Sequence, residues 1–97
     1  MAALTFLPEA RDDIDAAYSA YELRQDGLGE RFLAALKRTL GVITENPLLY
    51  GRVLEAVRAA VLRRFPYVVY YRDVPDEVLI LAVRHGSDNP MIWQGRS

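Results

Sequence analysis

The chain of 97 residues contains no cysteine and a single histidine, His85. The lack of cysteine excludes disulfide frameworks, thiolate metal sites and a cysteine nucleophile. With only one histidine, a histidine-rich metal site and a pair of catalytic histidines are excluded as well. We therefore expect the protein to use no metal ion and no cofactor.

Long hydrophobic runs are also missing. No uncharged run approaches the ~20 residues that a membrane span needs, and the first residues show no basic stretch followed by an apolar one, so we expect no signal peptide. Hydrophobic residues make up 52% and charged residues 26% of the chain, which excludes disorder for its bulk. The length predicts one domain over residues 1–97. We expect it to be soluble and cytoplasmic, with no membrane partner.

The chain has little net charge, −1 at neutral pH. Residues 1–50 sum to −3 and residues 51–97 to +2. A nucleic-acid binder usually carries a strong basic excess, which is absent here. Lys37 is the only lysine, and the other basic residues are arginines, which suit bidentate contacts with carboxylates or phosphates.

Apolar residues recur at helical spacing in the first half of the chain. Their pattern predicts one amphipathic helix from Pro8 to about Arg24 and a second one after a break at Asp26–Gly29. The second helix is expected to end near Asn46, because Pro47 disfavours helical geometry in the residue before it. Two amphipathic helices with a short link predict an antiparallel helix hairpin.

Three acidic residues, Asp12, Asp13 and Asp15, stand close together near the start of the first helix. They suggest a metal site, but neighbouring positions on a helix point apart, and only Asp12 and Asp15 share a face. We therefore interpret all three as surface acids that complement the helix dipole.

After the second helix the hydrophobic period changes to that of strands. Residues 57–64 alternate and predict a strand, Tyr67–Arg72 is a β-branched and aromatic run, and Val78–Arg84 is apolar enough to be covered on both faces. Leu4–Leu7 is a candidate edge strand. This order predicts an α+β fold in which the N-terminal helix hairpin packs on a small antiparallel β-sheet. The predicted core consists of Phe32, Leu36, Leu40, Val69, Ile80 and Leu81.

Several short motifs follow one another along the chain. They are Leu7-Pro8-Glu9-Ala10, Asn46-Pro47, the run from Arg63 to Tyr71, Ala82-Val83-Arg84-His85-Gly86, and the late Pro90, Trp93 and Arg96. Their order resembles the RelE/ParE superfamily of toxins from type II toxin–antitoxin modules, over essentially the whole chain. The resemblance implies a small α+β toxin of the plasmid-stabilisation type. It also implies a hetero-oligomer in which the C-terminal segment of a cognate antitoxin wraps the toxin surface.

Two positions separate the branches of this superfamily. The RNA-cleaving branch usually places an arginine where this chain has Tyr67, and further basic side chains after the last strand, where this chain has Asp88. The Phe65-Pro66-Tyr67 version resembles the ParE branch, whose characterised members poison DNA gyrase rather than cut RNA. The resemblance therefore implies DNA gyrase as the target and growth arrest as the outcome.

Three functions stay open at this point. The first is poisoning of gyrase by binding, the second is ribosome-dependent cleavage of messenger RNA as in RelE, and the third is a toxin fold that has lost toxicity. A nuclease would use Arg63 and His85, the latter as a general acid or base. The candidates for target binding are Arg64, Tyr67, Arg84, Trp93 and Arg96.

The aromatic residues also have a packing interpretation. Alternation along a strand puts Tyr67 and Tyr71 on one face and Tyr70 on the other, so the three rings cannot form one platform for stacked bases. Trp93 either contacts a partner, as tryptophan often does at interface hot spots, or folds back onto the sheet.

Overall fold

The structure, a computed structural model, describes residues 3–89, 91 and 93–96. Across these residues the chain forms two helices and five strands. In chain order they are β1 Ala3–Phe6, α1 Pro8–Arg24, α2 Leu28–Glu45, β2 Arg52–Leu54, β3 Val57–Val61, β4 Tyr67–Val74 and β5 Glu77–His85. Pro90, one of the late motif residues, lies outside the described residues. Neither described helix is long and apolar enough to cross a membrane.

The predicted helix hairpin is confirmed, with a shorter break than expected. α1 begins at Pro8, whose fixed φ suits a first helical turn. α2 begins one residue after Gly27, which has a φ of +85° that favours a residue without Cβ. The Glu22 carboxylate accepts the backbone N–H of Gly27 (3.2 Å) and of Gly29 (2.8 Å), and so satisfies donors that the start of a helix leaves unpaired.

The strands form one sheet in the order β1-β5-β4-β3-β2. β3, β4 and β5 are the predicted antiparallel meander, and the predicted edge strand forms as β1. However, β1 pairs with β5 in parallel, so the sheet is mixed rather than purely antiparallel. Both helices and the strands β2, β3 and β4 lie between β1 and β5 in the chain, and such a long connection allows a parallel pair. The α+β fold class is confirmed.

Two details of the strands differ from the prediction. β3 ends at Val61 rather than near Arg64, because the Leu62 N–H donates to the Tyr67 carbonyl (2.9 Å) and Arg64 adopts a φ of +68°. These features make residues 62–66 a tight loop between β3 and β4. β2 was not predicted, because an exposed strand of three residues is too short to show a period.

Both helices cover one face of the sheet, called the front face. The core on this face contains five of the six predicted core residues, Phe32, Leu36, Leu40, Val69 and Ile80. The assignment of Leu81 to this core is wrong, because Leu81 belongs to a separate cluster on the opposite face, the back face. The back-face cluster consists of Val57, Tyr70, Leu81, Ala82 and Trp93.

A β-bulge in β5 explains the position of Leu81. Tyr70 pairs with Ala82 and Tyr71 pairs with Ile80, so Leu81 has no partner in β4. The extra residue resets the alternation of side chains, and Leu81 and Ala82 both face the back of the sheet. β5 is therefore covered on both faces, as its apolar sequence predicts.

Truncation of the front core should be costly. Leu36 is 3% exposed and Ile80 is fully buried, so we expect Leu36→Ala or Ile80→Ala to lower the free energy of unfolding by about 2–5 kcal/mol each. That is a large share of the stability of a small protein. Urea unfolding measures the effect, and wild-type midpoints for both variants would show that the helix face or the strand register is misassigned.

Candidate functional site

The first residue of β4 and the last residue of β5 form one end of the sheet. Because β4 and β5 are antiparallel, Tyr67 pairs directly with His85. Their ring centroids are 5.5 Å apart in an edge-to-face arrangement, which aromatic rings prefer. The Gly86 N–H donates to the Pro66 carbonyl (2.7 Å) and ties the 62–66 loop to the end of β5. Tyr67 and His85, two of the predicted site residues, therefore lie side by side on paired strands.

The Tyr67 ring rests on aromatic side chains of the front core. Its centroid lies 5.2 Å from that of Phe32 and 5.9 Å from that of Tyr21. Burial raises the pKa of the Tyr67 hydroxyl above its ordinary value, and the neighbouring Tyr21 adds to the shift. Tyr67 therefore stays neutral near pH 7 and offers a hydroxyl group rather than a phenolate.

His85 is oriented by the turn that follows β5. Its Nδ1 accepts a hydrogen bond from the backbone N–H of Ser87 (3.0 Å) and lies 2.7 Å from the Ser87 hydroxyl oxygen. Since the backbone N–H is a donor, Nδ1 is unprotonated in this geometry and the neutral ring carries its proton on Nε2. His85 can therefore donate a hydrogen bond from Nε2, whereas its Nδ1 already accepts the hydrogen bond from Ser87.

A cavity of about 410 Å³, the sheet-end cavity, opens beside this pair. Arg64, Tyr67 and His85, all candidates from the sequence, line it together. Arg24 of α1 also lines it, with its guanidinium 5.6 Å from the Tyr21 ring centroid. The cavity therefore combines two cations, an imidazole and the side chains of two tyrosines, Tyr21 and Tyr67.

A larger groove of about 760 Å³ runs between α2 and the loop of residues 62–66, and we call it the arginine groove. Arg31 and Arg38 line it from α2, and Arg63 and Arg64 line it from the loop. Its apolar lining is Leu28, Ala34, Ala35, Val42, Val61 and Phe65. Among the described residues, no aspartate or glutamate lines the groove and none forms an ion pair with these four arginines. The charge of the groove therefore favours binding of an anionic partner.

The other two candidate arginines form ion pairs with carboxylates of the protein itself. Arg84 binds Asp13 and Asp88, each at 3.1 Å, and Arg96 binds Asp13 at 2.8 Å. Burial alone would lower the pKa of Arg84, but the two carboxylates raise it above its ordinary value. The interpretation of Asp13 as a surface acid is wrong, because Asp13 is buried and paired.

Trp93 is buried on the back face, with 6% of its surface exposed. Its ring centroid lies 6.5 Å from that of Tyr70, so the indole is folded back onto the sheet. Arg64, Tyr67 and His85 therefore meet at one cavity with Arg63 in the adjoining groove. Trp93 and Arg96 belong instead to the back of the sheet and its edge.

Sequence reasoning missed Asp13, although its spacing carried a signal. Asp13 lies three residues after Ala10 and four before Ala17, and all three are buried on the same face of α1. A carboxylate within such a stripe indicates a buried ion pair. Because aspartate is usually exposed, its residue type favoured a surface position, although its place in the helical pattern indicated burial.

The groove residues Arg31 and Arg38 were also missed. Together with Arg24 they recur every seven residues, which places Arg31 and Arg38 on the same side of α2 two turns apart. This spacing was available in the sequence. Their proximity to Arg63 and Arg64 was not, because it depends on how α2 packs beside the loop. Among the residues that the structure describes, no group of three or more His, Cys, Asp or Glu side chains can hold a metal ion.

Comparisons with known proteins agree on one family. Residues 4–90 match the family model described as the ParE toxin of the type II toxin–antitoxin system, parDE. Toxin ParE2 of Mycobacterium tuberculosis, in two strains, is 31% identical over 80 residues, which cover 81% of this chain and 76% of the relative. A solved chain of the chromosomal ParDE TA system from P. aeruginosa has the same fold. Its TM-score is 0.66 at 24% identity, over 88% of this chain and 96% of that chain. The chain belongs to the ParE family of toxins of type II toxin–antitoxin systems.

Proposed function

We propose that this toxin acts by binding DNA gyrase and that a cognate antitoxin neutralises it by covering the arginine groove. A toxin that acts by binding needs a surface that matches its target in shape and charge. A nuclease needs, in addition, an acid, a base and a cation placed around one phosphate. The ParE branch, to which the chain belongs, has characterised members that poison gyrase. The target itself is a proposal, because a fold alone does not define a function.

The gyrase proposal rests on one observation, which is that a neutral, packed tyrosine occupies position 67. RNA-cleaving relatives usually have an arginine at this position, where a cation stabilises charge that develops on the phosphate. Here a neutral tyrosine packs on Phe32 and against His85 instead. Arg84, the next arginine along the sheet, is bound by two carboxylates. Both features favour a binding surface over a nuclease site.

One observation favours the nuclease alternative. Arg64 and His85 line the same cavity, so Arg64 is available to bind a phosphate while the Nε2–H of His85 donates a hydrogen bond to a phosphate oxygen. Arg63, the other nuclease candidate, lines the arginine groove instead. This arrangement makes cleavage of messenger RNA the second candidate function.

Purified toxin added to gyrase and, separately, to translating ribosomes distinguishes the two. We expect stabilised gyrase–DNA cleavage complexes and intact messenger RNA. Arg64→Ala should weaken gyrase poisoning, whereas the matched control Arg52→Ala, an exposed arginine on β2, should not. Codon-positioned messenger cleavage that disappears in His85→Ala or Arg63→Ala would establish the nuclease function instead. Inactivity in both assays would indicate a toxin fold without toxicity.

Charge complementarity supports the antitoxin half of the proposal. The four groove arginines have no acidic neighbour in the groove lining among the described residues, and most of the other lining residues are apolar. An amphipathic segment with acidic residues flanking an apolar stripe fits both properties. Its occupancy would also cover Leu28, Arg64 and Phe65, which the groove shares with the sheet-end cavity. One antitoxin segment would thereby block a candidate target contact.

A further inference from the structure

Asp13 of α1 is a buried carboxylate that contacts two other segments of the chain, β5 and the C-terminal tail. Its side chain is 5% exposed, and both of its oxygens accept hydrogen bonds. Oδ1 accepts from Arg84 Nη1 (3.1 Å) and from Arg96 Nη2 (3.5 Å). Oδ2 accepts from Arg96 Nη1 (2.8 Å) and from the backbone N–H of Val83 (3.1 Å). One carboxylate thus joins α1, the end of β5 and the last described residues; Asp13, Arg84 and Arg96 are called the Asp13 cluster.

The cluster lies where the edge of β5 has no neighbouring strand. β1 runs beside β5 only as far as Phe6. Beyond that point Asp13 accepts the backbone N–H of Val83, and Arg96 Nη1 donates to the Leu81 carbonyl (3.0 Å). The side chains of Asp13 and Arg96 therefore form hydrogen bonds with backbone groups of β5 that β1 does not reach. The position of the cluster follows from the topology of the sheet.

The C-terminal tail, residues 93–96, is fastened at two points. Trp93 lies in the back-face cluster and Arg96 binds Asp13. Between them the Arg96 N–H donates to the Trp93 carbonyl (3.0 Å), and Gly95 has a φ of +87°, so the tail makes a turn that favours glycine. The buried indole N–H has no acceptor among the described residues, which opposes burial of the ring. The link between Arg96 and Asp13 therefore acts together with the packing of Trp93 to hold the tail.

We propose that Asp13 is a positioning residue, whose carboxylate holds the C-terminal tail against β5 and sets the direction of Arg84 for target binding. Both guanidinium groups make charge-assisted contacts with it, which are strong and directional. Without the Asp13 charge, Arg96 keeps no carboxylate partner in the cluster, and Arg84 keeps only Asp88. The contribution to target binding rests on the proposed function, whereas the fastening of the tail does not.

Trp93 reports directly on the tail, because it is the only tryptophan in the chain. We expect Arg96→Gln to shift the tryptophan emission to longer wavelength and to increase acrylamide quenching severalfold, with an unchanged far-ultraviolet circular dichroism spectrum. Arg11→Gln, an exposed arginine of α1, is the matched control and should leave the emission unchanged. Arg96→Lys, which keeps a cation beside Asp13, should restore most of the protection.

Asp13→Asn tests the carboxylate itself, with the exposed neighbour Asp12→Asn as its control. We expect Asp13→Asn to release Trp93 and to weaken gyrase poisoning by about tenfold or more. Arg96→Gln keeps Asp13, so it tests the tail even if Asp13→Asn fails to fold. The gyrase assay is therefore run on both folded variants beside wild-type toxin.

Each outcome decides one part of the proposal. Unchanged quenching of Trp93 in Arg96→Gln would overturn the fastening of the tail. Release of Trp93 in Asp13→Asn with full gyrase poisoning would overturn the positioning role of Asp13 for target binding. If wild-type toxin does not act on gyrase, the proposed function fails, while the quenching experiment still decides whether Asp13 holds the tail.

Discussion

Replacing Phe32 with alanine should lower the free energy of unfolding by about 3–5 kcal/mol. Phe32 is fully buried, and its ring lies 5.7 Å from that of Phe65 and 5.2 Å from that of Tyr67. It therefore supports both a residue of the 62–66 loop and the first residue of β4. Loss of the ring leaves a cavity that the surrounding helices and sheet fill only in part. Urea unfolding gives the size of the effect.

The same variant should disturb the sheet-end cavity, because Phe65 and Tyr67 line it. We expect weaker target binding even at temperatures where Phe32→Ala is folded. Leu23→Ala is the control, since Leu23 is 89% exposed on α1 and its loss should change stability by less than about 0.5 kcal/mol. An unfolding midpoint equal to that of wild type would show that Phe32 does not support this end of the sheet.

Local periodicity was sufficient to predict most of the fold. α2 carries Phe32, Leu36 and Leu40 at helical spacing, and each of them is buried where the pattern predicts. The meander was predictable because β4 and β5 are long and rich in apolar residues. Leu81 was misassigned because a bulge depends on the register between two strands, which one strand's sequence does not contain.

The site was predictable only where it follows from the meander. Tyr67 and His85 meet because β4 begins where β5 ends. The Asp13 cluster joins residues more than eighty positions apart, and no local pattern links them. The position of the C-terminal tail was not predictable from a local pattern either. The sequence left two interpretations of Trp93 open, and its burial results from packing with Tyr70 and Leu81.

Charge reversal on the α2 side of the arginine groove should separate toxicity from neutralisation. Arg31 and Arg38 line this groove and do not line the sheet-end cavity, whereas Arg64 lines both. We expect Arg31→Glu/Arg38→Glu to remain toxic but to escape the antitoxin, because an acidic segment would then face like charges, which cost several kcal/mol. The dissociation constant for the proposed cognate antitoxin should rise by about 100-fold or more.

Growth and binding measurements together test this expectation. Induced alone, wild-type and variant toxin should both arrest growth, and co-expression of the antitoxin should rescue only the wild type. Arg11→Glu/Lys37→Glu changes the net charge by the same amount at exposed positions outside the groove lining, and should be rescued like wild type. Equal loss of rescue in both double variants would indicate a general effect of net charge. Full rescue of Arg31→Glu/Arg38→Glu would show that the antitoxin does not bind in the arginine groove, because two reversed charges cannot leave a buried acidic contact intact.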